Sequence, residues 1–241
     1  MCLGDTRHLQ TKSVWRAEWE QVITPYFPRN KLTLDCGCGP AYYRHFFGGN
    51  YVGLDVQRCF SKGGVYVRAS ATEIPFRNKS FDFVLASALF EHINDPDKAL
   101  SEICRVLKKG GCVLLSTPSK YGAKYETLKT YRGYDMEDLE RLVSRQKLHI
   151  KKRLKVGSVF AIMFAELENI FRRKIKVSKT ELPSFEGEPY YNLLERSVFG
   201  RTVLKLREIT LRLALTLDTH VPLRFIYQGT CILASDYNKD N

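Results

Sequence analysis

Apolar and polar positions follow two rhythms along this chain, and each change of rhythm marks an element. Residues 12 to 27 carry Val14, Trp15, Trp19, Val22, Ile23 and Phe27, a spacing that gathers apolar side chains on one helical face before Pro28 and Asn30 break it. Leu32 and Leu34 open a short strand that ends at Asp35 and runs into the turn Cys36-Gly-Cys-Gly-Pro40. Ala41 to Phe47 has room only for a short helix, because Gly48, Gly49 and Asn50 stop it. Tyr51 to Asp55, Val65 to Ala69 and Ser80 to Ser87 read as strands two, three and four from their β-branched and aromatic content. The fourth is apolar almost throughout, the mark of a strand covered on both faces. Between the third and fourth, Ser70 to Phe76 forms a proline-bearing turn with Ile74 and Phe76 as apolar plugs. Asp95 caps the next helix, Pro96 suits its first turn, and Ala99, Leu100, Ile103 and Leu107 make its buried stripe. Lys108, Lys109, Gly110 and Gly111 are expected to close that helix before Cys112 to Thr117 forms strand five.

Strands alternating with helices at this spacing predict a parallel sheet with helices on both faces. Such sheets bind ligands beyond the carboxyl ends of their strands, where the strand order reverses. Asp35, Asp55, Ser70 and Ser87 all fall at or just past those ends. Gly37 and Gly39 remove the Cβ atoms that would keep a ligand off the backbone, and Asp55 suits a two-point grip on the hydroxyls of a ribose. The dinucleotide fingerprint does not fit, since its third glycine would fall at Tyr42. A plain tight connection from strand to helix is the other reading of the same turn.

The second half is less patterned. Tyr134 to Val143 has an Asp cap, early acids and a stripe of Leu139, Leu142 and Val143, which predicts a helix. His149 to Val156 reads as a strand with one basic face, and Arg224 to Ala234 as the last strand. Residues 157 to 223 between them are far too many for a hairpin loop and require a substructure of their own. Within it Val159 to Phe171 is apolar on more than one side before Arg172, Arg173 and Lys174, and Val198 to Leu217 is a second helical segment. Such a pair suits either an anionic membrane surface or apolar tail, or a helical cap packed on the sheet.

Composition changes this picture at three points. The 241 residues are 44% hydrophobic, enough for one large domain or a domain with an appended subdomain. The net charge of +12 is concentrated between Arg145 and Lys179, where eleven Lys and Arg face only Glu166 and Glu168. That stretch is either a surface for a polyanion or a solvated basic face. Seven cysteines at scattered positions read as thiols of a reducing compartment, and Cys36-Gly-Cys38 has no second Cys or His pair to make a metal site. With no apolar leader in Met1 to Thr6 and no run near the roughly 18 apolar residues of a membrane span, a cytoplasmic protein is expected, with peripheral membrane contact through the insertion as an option.

Taken together, the stretches Leu34 to Pro40, Val52 to Asp55, Ala71 to Phe76, Ser80 to Val84, Phe90 to His92 and Glu102 to Gly111 resemble the class I S-adenosylmethionine-dependent methyltransferases, in their type 11 small-molecule branch. The resemblance implies a Rossmann-like, mostly parallel seven-stranded sheet with helices on both faces and an antiparallel last strand, here preceded by an inserted helical subdomain. It divides the chain into an N-terminal helical cap (1 to 30), a cofactor-binding core (31 to 156), the insertion (157 to 223), and the last strand with its tail (224 to 241). It implies S-adenosylmethionine as cofactor and S-adenosylhomocysteine as product. Asp35, Cys36, Gly37 and Gly39 would line the methionine end, Asp55 and Val56 the ribose, Ser70, Ala71 and Thr72 the adenine, and Ser87 the mouth near the methyl. His92 is the candidate general base, with a structural hydrogen-bonding role for the Glu91-His92 pair as the alternative. The chain departs from the family pattern at Ser70, often Asp, and at Ala41, often Gly, which predicts modest cofactor affinity. The acceptor would be a small molecule, lipid-linked or glycosylated among the options. A cofactor-binding protein without turnover and a nucleic acid methyltransferase are the competing readings; the latter lacks an Asn-Pro-Pro-Tyr-like motif, with Ser87 to Phe90 in its place.

Overall fold

The computed structural model describes residues 14–57, 64–125, 132–157, 205, 209, 213 and 229–236. The chain divides into two compact units, Met1–Val22 with Val156–Gln228, and Ile23–Lys155 with Gly229–Asn241. The first contributes most of helix α1 (Val14–Ile23), after which Pro25 turns the chain into a 3-10 turn at Thr24–Tyr26. The helical segments expected between 157 and 223 lie outside the described residues, apart from three isolated positions of which Ile209 and Leu213 are exposed.

The second unit holds the sheet. Its strands are β1 (Thr33–Cys36), β2 (Tyr51–Asp55), β3 (Val65–Arg68), β4 (Phe81–Ser87), β5 (Leu107–Pro118), β6 (His149–Val156) and β7 (Gly229–Ser235), in the spatial order β3-β2-β1-β4-β5-β7-β6. Pairs β1 to β2, β2 to β3, β1 to β4 and β4 to β5 are parallel, whereas β5 and β7 run antiparallel. The expected seven-stranded, mostly parallel sheet is therefore the observed one. Its strand order reverses between β1 and β4, and the two βα layers leave a crevice there by geometry alone.

Period-two alternation assigns the faces. Leu34, Cys36, Val84, Ala86, Val113, Leu115, Ile232 and Ala234 join one core cluster with Leu100, Ile103, Leu139 and Val143 from helices α2 (Pro96–Val106) and α3 (Met136–Arg145). On β1, β2 and β4 the register aligns Thr33 with both Tyr51 and Phe83, and Asp35 with both Gly53 and Leu85. Phe27 and Phe47 cover Phe83 there at ring separations of 6.3 and 6.2 Å. Helix caps follow the sequence. The Asp95 side chain accepts the Lys98 N–H at 3.0 Å, and Asp135 and Asp138 form a reciprocal capping box at the start of α3.

Two expectations need correction. Helix α2 ends at Val106, not at the Lys108 to Gly111 stretch, which belongs to β5. Leu107 is buried and pairs with Phe81, so sheet pairing wins over helical continuation, and the left-handed Gly110 shapes a register irregularity opposite Phe81 and Phe83. The segment after the first strand makes turns and one 3-10 turn (Arg44–Phe46) in place of a short helix. Among the described residues, no helix is long and apolar enough to cross a membrane. The sheet's outermost strand is basic, with His149, Lys151 and Arg153 exposed on the expected face and Lys152 exposed on the other.

Gly53 shows how tightly β2 and β3 fit under the turn. A Cβ at this position would stand 2.7 Å from the Tyr66 ring and 2.9 Å from Cys38 Sγ, so one of them would have to shift. Gly53→Ala should destabilise the protein by about 1 to 3 kcal/mol, read as a lower urea midpoint at unchanged slope.

Candidate functional site

The turn after β1 is built from left-handed residues. Gly37 has φ of 78°, Gly39 of 49° and Ala41 of 61°. Glycine takes such angles freely, whereas an L-residue pays roughly 1 to 2 kcal/mol for them. Ala41 therefore holds a strained conformation at the position where the resembling family often carries glycine. At Gly37 a Cβ would meet Leu89 Cδ1 at 2.8 Å, while at Gly39 it would meet nothing within 4 Å. The backbone at Gly39 thus faces open space.

Hydrogen bonding fixes this turn to β2. The N–H groups of Gly37 and Cys38 both donate to Leu54 O, at 2.7 and 3.1 Å, and the Gly39 N–H donates to Asp55 Oδ2 at 2.9 Å. The other Asp55 oxygen accepts the Gln57 N–H at 2.8 Å. Three consecutive amides thus point into the protein. The turn is a wall to lie against and not a nest of amides for a phosphate. Each carboxylate oxygen of Asp55 keeps a lone pair beyond these bonds, and Val56 beside it is 58% exposed.

Asp35 is the second acid of the crevice. It is 2% exposed, and Tyr51 Oη donates to its Oδ2 at 2.6 Å. Burial pushes its carboxyl up to about 7 against the lowering effect of the Tyr51 bond, and the charge of Asp55 adds to the rise. Burial likewise raises the Cys36 thiol. The Cys36 side chain is within the core, so this position offers a ligand its backbone. Two acids and inward-turned amides suit a ligand with a cationic end and a diol, the chemistry of S-adenosylmethionine, and the residues present fit it.

The remaining predicted positions lie at the carboxyl ends of β3 and β4. Ser70 Oγ lies 2.7 Å from Thr72 Oγ1 and accepts the Thr72 N–H at 3.2 Å, closing a small turn in which Ala71 is buried. Ser87 Oγ accepts from Ser116 Oγ at 2.8 Å. His92 is on the 3-10 turn Phe90–His92 with its side chain 26% exposed, its Nε2 standing 3.9 Å from Glu91 Oε1. Glu91 is fully buried and its Oε2 accepts the Thr117 hydroxyl at 3.1 Å, a structural tie between the ends of β4 and β5. Hydrogen bonds join Gly37 and Gly39 to the Leu54–Asp55 end of β2, Asp35 is tied to that strand through Tyr51, and Ser70 to Thr72 and Ser87 to His92 follow β3 and β4.

Sequence reasoning missed two contributors. Tyr51 is 16 positions from Asp35, and only the strand register sets them on one face. Arg105 and Glu102, read as part of a motif, turn out to hold the loop between β3 and β4. A charged pair one turn apart on an amphipathic helix is the one signal for them, and it is common to many exposed helices.

Known proteins resemble this chain in domain and fold. Residues 34–115 match the family model described as a methyltransferase domain. An uncharacterized methyltransferase from Mycobacterium sp. (strain JLS) is 33% identical over 124 residues, 47% of each chain. The chain spans about half the length of that curated relative. A SAM-dependent methyltransferase from Archaeoglobus fulgidus superposes with a TM-score of 0.55 at 17% identity, over 96% of this chain and 95% of that one. The Burkholderia thailandensis 1,6-didemethyltoxoflavin-N1-methyltransferase, solved with 1,6-didemethyltoxoflavin and S-adenosylhomocysteine, gives 0.53 at 11% identity, over 96% and 82%. At these identities the structures speak for the fold. The family model and the shared fold thus liken residues 34–115 to a methyltransferase domain.

The raised pKa of Asp35 has a consequence for stability. A carboxyl whose pKa rises from 3.8 to about 7 on folding keeps its proton in the native state over that window while the unfolded chain loses it. Its stabilising contribution is complete below about 4 and is lost as pH rises to about 7. Relative to Asp35→Asn, the wild type should lose up to about 1.4 kcal/mol per pH unit across this range and none above it. Urea midpoints of both proteins between pH 4 and 8 measure this, and parallel curves would refute it.

Proposed function

We propose that the chain transfers a methyl group from S-adenosylmethionine to a small-molecule acceptor. The observation that carries this reading is the Asp55 carboxylate, fixed by the Gly39 and Gln57 amides at the end of β2 and set near the buried acid Asp35 at the reversal of strand order. In this reading Asp55 and Val56 hold the ribose, Ser70, Ala71 and Thr72 border the adenine, and Asp35, Cys36, Gly37 and Gly39 border the methionine end. Bound there, the cofactor supplies a methyl group made electrophilic by its sulfonium. The protein's own work is to align the acceptor and to keep water away, since methyl transfer gains most from proximity and orientation. Ser87 would stand at the acceptor's entrance. His92, half-buried beside it in sequence, would take the acceptor's proton at one of its ring nitrogens where the acceptor is a hydroxyl or amine. The resemblance to small-molecule enzymes of this fold supports the acceptor class, and residues 157 to 223 are the natural source of specificity for a lipid-linked or glycosylated one.

Calorimetry should detect S-adenosylhomocysteine binding to the wild type and at least about tenfold weaker binding to Asp55→Ala, which loses the diol grip. With methyl-labelled cofactor and a cell extract, label should pass to the low-mass fraction. Label in RNA or DNA would favour the nucleic acid reading, and binding with no transfer to any fraction would favour a protein without turnover.

A further inference from the structure

We infer that Arg105 is a positioning residue for the adenine of the cofactor, acting through the Ala69 to Ser80 crossover. The inference rests on reading the loops around Asp55 as the cofactor site. Between β3 and β4 the chain crosses from the carboxyl to the amino edge of the sheet with no helix of its own. A segment without internal helical bonds has to take its shape from outside.

That outside support is the last turn of α2. Arg105 Nε and Nη2 donate to the two Glu102 carboxylate oxygens at 2.7 and 2.8 Å, a bidentate pair. Nη2 also donates to Ile74 O at 2.7 Å, and Nη1 donates to Phe76 O and to Asn78 Oδ1, both at 2.8 Å. These bonds use all five N–H donors of the guanidinium. Glu102 Oε2 in turn accepts the Ile74 N–H at 2.9 Å. The carbonyls of Arg105 and Val106 accept the Lys79 and Ser80 N–H groups at 2.9 and 2.8 Å. From Ile74 to Ser80 the crossover is thereby pinned to one helix end, and Phe76 packs edge-on against Phe81 at 5.0 Å.

The pinned part begins two residues after Thr72. The Glu73 N–H donates to Ser70 O at 3.0 Å and the Thr72 N–H to Ser70 Oγ, so the Ser70 to Thr72 turn is coupled directly to Ile74. Arg105 touches neither adenine nor turn, yet it sets where the turn stands. A lysine at this position keeps the charge but has three donors on a point and no plane, so it cannot hold two carbonyls, an amide oxygen and a carboxylate at once.

The test compares S-adenosylhomocysteine with S-inosylhomocysteine, whose base has an oxygen in place of the adenine amine. Arg105→Lys should bind the adenine compound about tenfold more weakly, and the wild-type preference for it over the inosine compound should shrink. Hydrogen exchange should quicken at residues 70 to 76 while the amides of β4 and β5 stay as slow as in the wild type. A lower melting temperature alone does not move a base preference, so an unchanged preference in folded Arg105→Lys overturns the proposal. Where that variant does not fold, Asn78→Ala, which removes one exposed partner of the guanidinium, should reduce the preference to a smaller extent, and an unaltered preference counts against it equally. A wild type that binds neither compound overturns the cofactor reading and the proposal with it, whereas strong, base-selective wild-type binding with equal Arg105→Lys selectivity overturns only the latter.

Discussion

The parallel register between β1 and β2 is the constraint on which the rest of the site depends. It sets Cys36 beside Leu54, so that Leu54 O can take the amides of Gly37 and Cys38 and Asp55 can take that of Gly39. A slip by one residue would turn Asp35 from the crevice face into the apolar cluster beside α2 and α3, and would move Leu34 the other way. Because Leu34 and Cys36 are wholly buried on one face and Thr33 and Asp35 on the other, such a slip is opposed by the whole core. The glycine turn is thus shaped by tertiary bonds to the next strand as much as by its own sequence.

Much of this was legible from the chain alone where the signal is local. The bounds of β2 and β6 were read correctly, as were the Asp95 and Asp135 caps, because alternation and capping chemistry act within a few residues. The order of acidic and glycine positions at the strand ends likewise points to the crevice. What escaped were features set by partners far along the chain. Leu107 carries a helical apolar stripe in the sequence, yet its pairing with Phe81 starts a strand. The Tyr51 to Asp35 bond and the grip of Arg105 on Ile74 and Phe76 span 16, 31 and 29 positions, and no local pattern encodes them. Ala41 was noticed as a departure from the family pattern, and the structure adds why glycine suits the position, since its φ is left-handed.

In the proposed reading, the site keeps holding and reacting on separate segments. Asp35 and Asp55 lie on β1 and β2 and the inward-turned amides on the turn between them, while Ser87 to His92 are tied to β5 by the Ser87 to Ser116 and Glu91 to Thr117 bonds. On that reading, variation after β4 would leave the β1 and β2 segment undisturbed, as expected of a fold that serves many substrates.

The two ends of the sheet carry a further consequence. An outermost strand offers unpaired amides and carbonyls to any other extended chain, and a flat apolar one invites growth by strand addition. Here β3 is four residues long, and the Arg68 guanidinium folds back to Val56 O at 2.9 Å. At the opposite end β6 is longer but studded with cations. One edge is protected by brevity and the other by charge, so that a second copy finds a short template at β3 and repulsion at β6.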